Sequence, residues 1–295
     1  MRKTALIALA VSIALFGLAG AASAGPVIID GTDAEEHGGV AGGANFAGWL
    51  YFQKGFENLL PAVTNAQMQA VCLGCTGNTQ SAFASSFDLA TKPALWTRTT
   101  VDGVVDITSY FAGTFPGASL ANTGLLYFPT GGNTAGGITG LELGVINANA
   151  VAVNTFVTGG GGLFAHGEGN TAGAWGWLTT LIPGIIPVES GGGANLALTL
   201  AGIAAFPGLT NTDVNNGTPW HNHFTGSFGG LSVLVDTTSG PAGRAVYLGG
   251  GSGTIIGCGQ PGQPACPTPE PATLLLLGSG LLTLGGLAWS RRRSS

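Results

Sequence analysis

Basic residues are scarce in this sequence. Of nine lysines and arginines in 295 residues, five stand at the two ends (Arg2, Lys3, Arg291, Arg292 and Arg293). Only Lys54, Lys92, Arg98 and Arg244 lie between them. Thirteen acidic residues remain beside those four once Glu270 is grouped with the C-terminal end, so the central stretch has a net charge near −9. Without a basic patch, nucleic acid is excluded as a partner. Anionic polymers would be repelled too, unless a divalent cation bridges them. A strict internal repeat is also missing. Glycine is abundant instead, at 53 residues, and apolar stretches recur between the glycines. That combination reads as one globular unit with Gly-rich loops, long enough to bury a good core.

The ends carry the targeting information. Met1-Arg2-Lys3, an apolar run from Ala5 to about Gly20, and Ala22-Ser23-Ala24 before Gly25 are the three parts of a secretory signal peptide over residues 1–24. At the other end, Pro269-Glu270-Pro271 precedes an apolar stretch from Ala272 to Trp289 and then Arg291-Arg292-Arg293. At about 1.5 Å per residue this stretch is just long enough to span hydrocarbon as a helix, with the arginines left on the cytoplasmic side. These features together resemble the PEP-CTERM sorting signal of Gram-negative bacteria, over residues 269–295. The resemblance implies signal peptidase and an exosortase as partners in export, a transient inner-membrane span, and delivery to the cell surface or the surrounding matrix. Extracellular polysaccharide is the partner expected there.

Four cysteines fall into two local pairs, Cys72 with Cys75 and Cys258 with Cys266. Export favours disulfides. Cys258 and Cys266 would close a small loop in a Gly/Pro linker over 251–268. Cys72-Leu73-Gly74-Cys75 has the spacing of redox and zinc motifs. A redox pair, however, opens a helix, whereas Val71-Cys72-Leu73 reads as a strand end, so a structural bridge is expected.

Between the ends, residues 25–250 read as an α/β domain. Val27 to Asp30 is a short apolar run ending in an acid. Trp49, Phe52, Phe56, Leu59 and Leu60 have helical spacing, with Pro61 ending the helix. Gln69–Leu73 and Thr97–Val101 read as strands and Asp106–Phe111 as a helical turn. Leu125–Phe128 is a buried-type strand. Leu141, Val145, Ala148, Ala152 and Phe156 form one helical stripe, which Gly159 to Gly162 breaks, and Leu163–Ala165 is again a strand. This is a βαβ unit, and several in series predict a mostly parallel sheet with helices on both faces. Trp175–Leu181 and Leu198–Phe206 read as helices, Leu231–Val235 and Ala245–Leu248 as closing strands.

The strand with its Gly131-Gly132 loop, the helix, and the Gly-rich return into Leu163-Phe164-Ala165-His166-Gly167 resemble the class I glutamine amidotransferase-like fold, a flavodoxin-like three-layer sandwich. In that family the turn after the second strand presents a nucleophilic cysteine beside oxyanion-stabilising N–H groups. Here it carries Ala165, His166 and Gly167, with no Cys, Ser or Thr from Leu163 to Gly169. Amidotransferase chemistry is therefore not expected.

The four histidines, His37, His166, His221 and His223, all fall in predicted loops or turns. Asp30, Asp33 and Glu168 lie near strand C-terminal ends, where open α/β sheets bind ligands. Asp30, Asp33, His166, Glu168, His221 and His223 are thus the candidate ligand or metal residues. A divalent cation is the cofactor such a set would take, with His221 and His223 on one side of a strand. The alternative is that these groups cap turns. Trp220 to Phe224 also offers a carbohydrate-stacking edge, and Asp30, Asp33, Glu35 and Glu36 offer oxygen ligands for calcium, without EF-hand spacing. The expected role is a non-catalytic binding or structural one. The alternative is a divergent metal-dependent hydrolase using His166, Glu168 and His221.

Overall fold

A computed structural model describes residues 24–131, 136–167, 173–191, 195–216, 220–238 and 243–250. These lie in the first of the chain's two units, Met1–Ile255 and Ile256–Ser295. The signal peptide, Glu168, Cys258, Cys266 and the sorting tail with its apolar stretch fall outside the described residues. Among the described residues, no single helix is long and apolar enough to cross a membrane.

Among the described residues, the main sheet has ten strands. Five are parallel, in the order β5 (Thr97–Val101), β4 (Gln69–Leu73), β6 (Leu125–Phe128), β7 (Gly162–His166) and β1 (Val27–Asp30). Beyond β1 the sheet turns antiparallel. There β12 (Ala245–Gly250) pairs with β1, and β10 (Asn222–Gly226) links β12 to β8 (Ile185–Glu189). A branch joins β11 (Ser232–Thr237) to β12 and to β9 (Leu196–Leu198). The strands β2 (Gly38–Ala41) and β3 (Ala44–Ala47) form a separate hairpin.

Strand alternation splits the core in two. Val27, Ile29, Val71, Leu126, Phe128, Leu163 and Ala165 point to one face. Helices α3 (Val104–Phe111), α4 (Gly140–Ala148) and α5 (Ala150–Thr158) cover it with Ile107, Tyr110, Leu143, Ile146, Val153 and Phe156. Ile28, Ala70, Cys72, Leu125, Tyr127 and Phe164 point to the other face. There α1 (Gly48–Leu59) and α2 (Gly77–Leu89) pack Tyr51, Phe52, Phe56, Phe83 and Phe87 against them. The result is an α/β fold with a mixed sheet, parallel over five strands and antiparallel beyond them, and helices on both faces.

Several expectations need correction. The stripe from Leu141 to Phe156 is two helices bent by 62° at Asn149. Leu141 is 77 % exposed, and the buried stripe runs instead through Leu143, Ile146, Ala150 and Val153. Asn149 serves as C-cap of one helix and N-cap of the next. Of Trp175–Leu181 only α6 (Leu178–Leu181) is helical. Of Leu198–Phe206, Leu198 closes a strand and α7 (Leu200–Ala205) follows, capped by the Thr199 hydroxyl. A further short helix, α8 (Asn211–Asn215), follows.

Cys72 and Cys75 are joined as a disulfide at the end of β4. The bridge needs a sharp reversal, which Gly74 supplies at φ +85°, with Ile138 packed where a side chain would stand. Because the closed loop is so short, reducing the bridge is expected to lower stability by only about 2 kcal/mol. Urea unfolding of Cys75→Ser, or of the reduced chain, measures this.

Candidate functional site

In parallel register, Asp30 ends β1 directly opposite His166 at the end of β7, and both side chains fall on the α1 face. Asp30 Oδ2 contacts His166 Nδ1, and both side chains are fully buried. Tyr51 donates its hydroxyl to Asp30 Oδ2 at 2.8 Å. Thr32 donates its backbone N–H and its hydroxyl to Asp30 Oδ1, at 2.9 and 2.7 Å. The imidazole sits among Phe52, Phe164 and Tyr127, with ring centroids 4.4 to 5.2 Å away.

A second carboxylate faces the same interior. Glu35 accepts from the Tyr127 hydroxyl at 3.1 Å, the Thr130 N–H at 3.0 Å and the Thr130 hydroxyl at 3.1 Å. The strand order reverses between β4 and β6, and in open α/β sheets that is where ligands bind. Here the chain's own Glu35 fills the place beside the end of β6. The loop carrying it is held by Asn78 Nδ2 and Trp49 Nε1, both donating to the Glu35 carbonyl.

Burial sets the protonation in this cluster. It raises the Glu35 carboxyl above its usual range, and the His166 charge only partly offsets this. Burial alone would push His166 down, but Asp30 and then Glu35 outweigh it, and the imidazole is held above its ordinary value. Tyr51 and Tyr127 are pushed well up, by burial first and then by Asp30 and Glu35 respectively. The cluster is therefore a buried imidazole–carboxylate pair with a second, hydrogen-bonded carboxyl beside it.

At Gly167, the first residue after β7, there is no room for a nucleophilic side chain. Ala165 is fully buried. A Cβ on Gly167 would lie 2.2 Å from Cζ2 of Trp175. Gly167→Ser is therefore expected to cost about 1–3 kcal/mol through overpacking, read as a lower thermal midpoint, without creating a reactive hydroxyl.

The remaining candidates separate. Asp33 Oδ2 lies 3.3 Å from His37 Nε2 and 3.1 Å from His221 Nε2. His221 precedes β10, where its N–H and that of Asn222 bond the Gly31 carbonyl. His223, inside β10, instead pairs its Nδ1 with the Ser190 hydroxyl at 2.7 Å. The expected joint use of His221 and His223 is thus not what the fold provides, because only His223 lies within the strand. Burial and then the charge of Arg244 hold His223 below its ordinary value. The proposed calcium loop also divides. Asp30 and Glu35 turn inward, while Asp33 groups with Glu36 and His37 on a turn whose Glu36 N–H bonds the Asp33 carbonyl at 2.9 Å. Sequence reading missed His37 as a partner of Asp33. The signal was the spacing of 33, 36 and 37, which places all three on one side of a single turn.

Residues 267–293 match the PEP-CTERM protein-sorting motif. No curated protein matches the chain, and no solved structure does. The motif marks the chain as an exported protein targeted by an exosortase and sorted to the cell surface.

Proposed function

We propose that the chain is a non-catalytic binding or structural protein of the cell surface and its surrounding matrix. Signal peptidase processes it at the N-terminus, and an exosortase frees it from a transient inner-membrane span. Its partner is extracellular polysaccharide. The observation that carries this reading is the filling of the sheet's C-terminal edge: Glu35 occupies the crevice, and Asp30 and His166 are buried beneath it. The five parallel strands flanked by helices are consistent with an amidotransferase-like ancestry in which the catalytic turn was lost and the edge sealed. Co-sedimentation of the purified chain with exopolysaccharide from the producing cells tests the reading. Binding without turnover of ester, amide or glycoside substrates is expected. A metal-dependent hydrolase activity abolished by His166→Ala in a folded variant would overturn it.

A further inference from the structure

We propose that Asp33, Glu36, His37 and His221 form a binding site for a divalent transition-metal ion of the zinc class. Asp33, Glu36 and His37 each offer a ligand atom, and these atoms lie within 4.8 Å of one another. His221 arrives from a different segment, and its Nε2 lies 3.1 Å from the same Asp33 oxygen that His37 faces at 3.3 Å. Two ligand atoms bound tetrahedrally to zinc at about 2.0–2.1 Å stand roughly 3.3–3.4 Å apart. Each of the two imidazole nitrogens is therefore already near coordination-sphere spacing from the Asp33 oxygen.

Three further observations favour an ion over a merely structural cluster. First, the Asp33 side chain is only 8 % exposed, yet its Oδ1 has no hydrogen-bond partner among the described residues. Buried carboxylate oxygens ordinarily find one. Secondly, neither Lys nor Arg pairs with Asp33 among the described residues; its ion pairs are with the two histidines. Two carboxylates and two neutral imidazoles carry a charge of −2, which a divalent ion neutralises. Thirdly, the histidine side chains are 34 and 29 % exposed, so an ion can enter from solvent. The scaffold is also braced: the loop after β1 is tied to the His221 segment by the Thr32–Trp220 bridge and the bonds to the Gly31 carbonyl. Nitrogen and oxygen donors in this mixture suit zinc better than calcium, which takes oxygen alone. The proposal adds to the binding reading above and does not depend on it.

The test uses the purified full chain, free of any histidine tag, stripped with a chelator and titrated with zinc chloride by calorimetry. One equivalent is expected to bind near neutral pH, and binding should weaken on acidification as the imidazoles protonate. His37→Ala and His221→Ala should each weaken binding by at least about tenfold, since loss of even an outer-sphere partner has that effect. His223→Ala should leave it unchanged. Cys258→Ser with Cys266→Ser should also leave it unchanged, which separates this site from a thiolate one. The tetrahedral absorption of bound cobalt(II) should vanish in the histidine variants. Absence of binding, or binding that survives both histidine substitutions, would overturn the proposal.

Discussion

Replacing His166 with alanine is expected to lower the unfolding free energy by about 3–5 kcal/mol, the cost of leaving a buried charge without its partner. The Asp30 carboxylate would keep only Tyr51 and Thr32 as donors, at a position with no solvent access. Urea unfolding should show a lower midpoint with an unchanged slope. The pH dependence gives a second readout. His166 holds its proton more tightly in the folded chain than at its ordinary value of 6.5. Its contribution is therefore complete below about 6.5 and is lost as pH rises through the raised folded value. Glu35, raised from 4.5, has the same sign at lower pH: stability declines as pH rises from about 4.5 through its folded value. In His166→Ala the decline above 6.5 should disappear. The Glu35 decline should move higher, because the imidazolium that opposed its rise is gone. An unchanged profile above 6.5 would show that His166 is not protonated in the folded chain.

Phe164→Ala should be comparably costly, at about 3–5 kcal/mol. The Phe164 ring contacts Tyr51, Phe52, Phe56, Tyr127 and His166, with centroids 4.5 to 5.9 Å apart. It also fills the notch left by Gly55, where a Cβ would meet the ring at 2.5 Å. Few neighbours can collapse into that space, because each is fixed by other rings. The exposed Leu200, at 88 % accessibility, is the control, and Leu200→Ala should change stability by no more than about 0.5 kcal/mol. A Phe164→Ala loss as small as that would mean the aromatic cluster tolerates a cavity.

The inner parallel strands were legible because they are buried on both faces. Within them, Ala70 to Leu73 and Leu125–Phe128 read as unbroken apolar runs. The antiparallel half was less so. In β8, Ile186 is 54 % exposed and Pro187 interrupts the pattern, and β9 is only three residues long. The bend at Asn149 was hidden because apolar residues surround it on several sides. At the candidate site, Asp30, Asp33, His166 and His221 could be singled out by residue type and position. Their pairing could not, since the parallel register of β1 with β7 and the strap from Gly31 to His221 are long-range contacts without a local sequence signature. Glu35 was indistinguishable from its neighbour Glu36, although one is fully buried beside Tyr127 and the other belongs to a surface turn.

The position of β1 has a consequence for biogenesis. The parallel strands and the antiparallel strands meet along one seam, where β1 lies between β7 and β12. On one side of that seam β1 precedes every other described strand in the chain, and on the other β12 ends at Gly250, shortly before the sorting motif at residue 267. Until β12 emerges, β1 presents an open apolar edge, the kind that invites pairing with other chains. Closure of the sheet and arrival of the sorting signal therefore fall close together in time. A chain interrupted before β12 would be both unsorted and prone to aggregate.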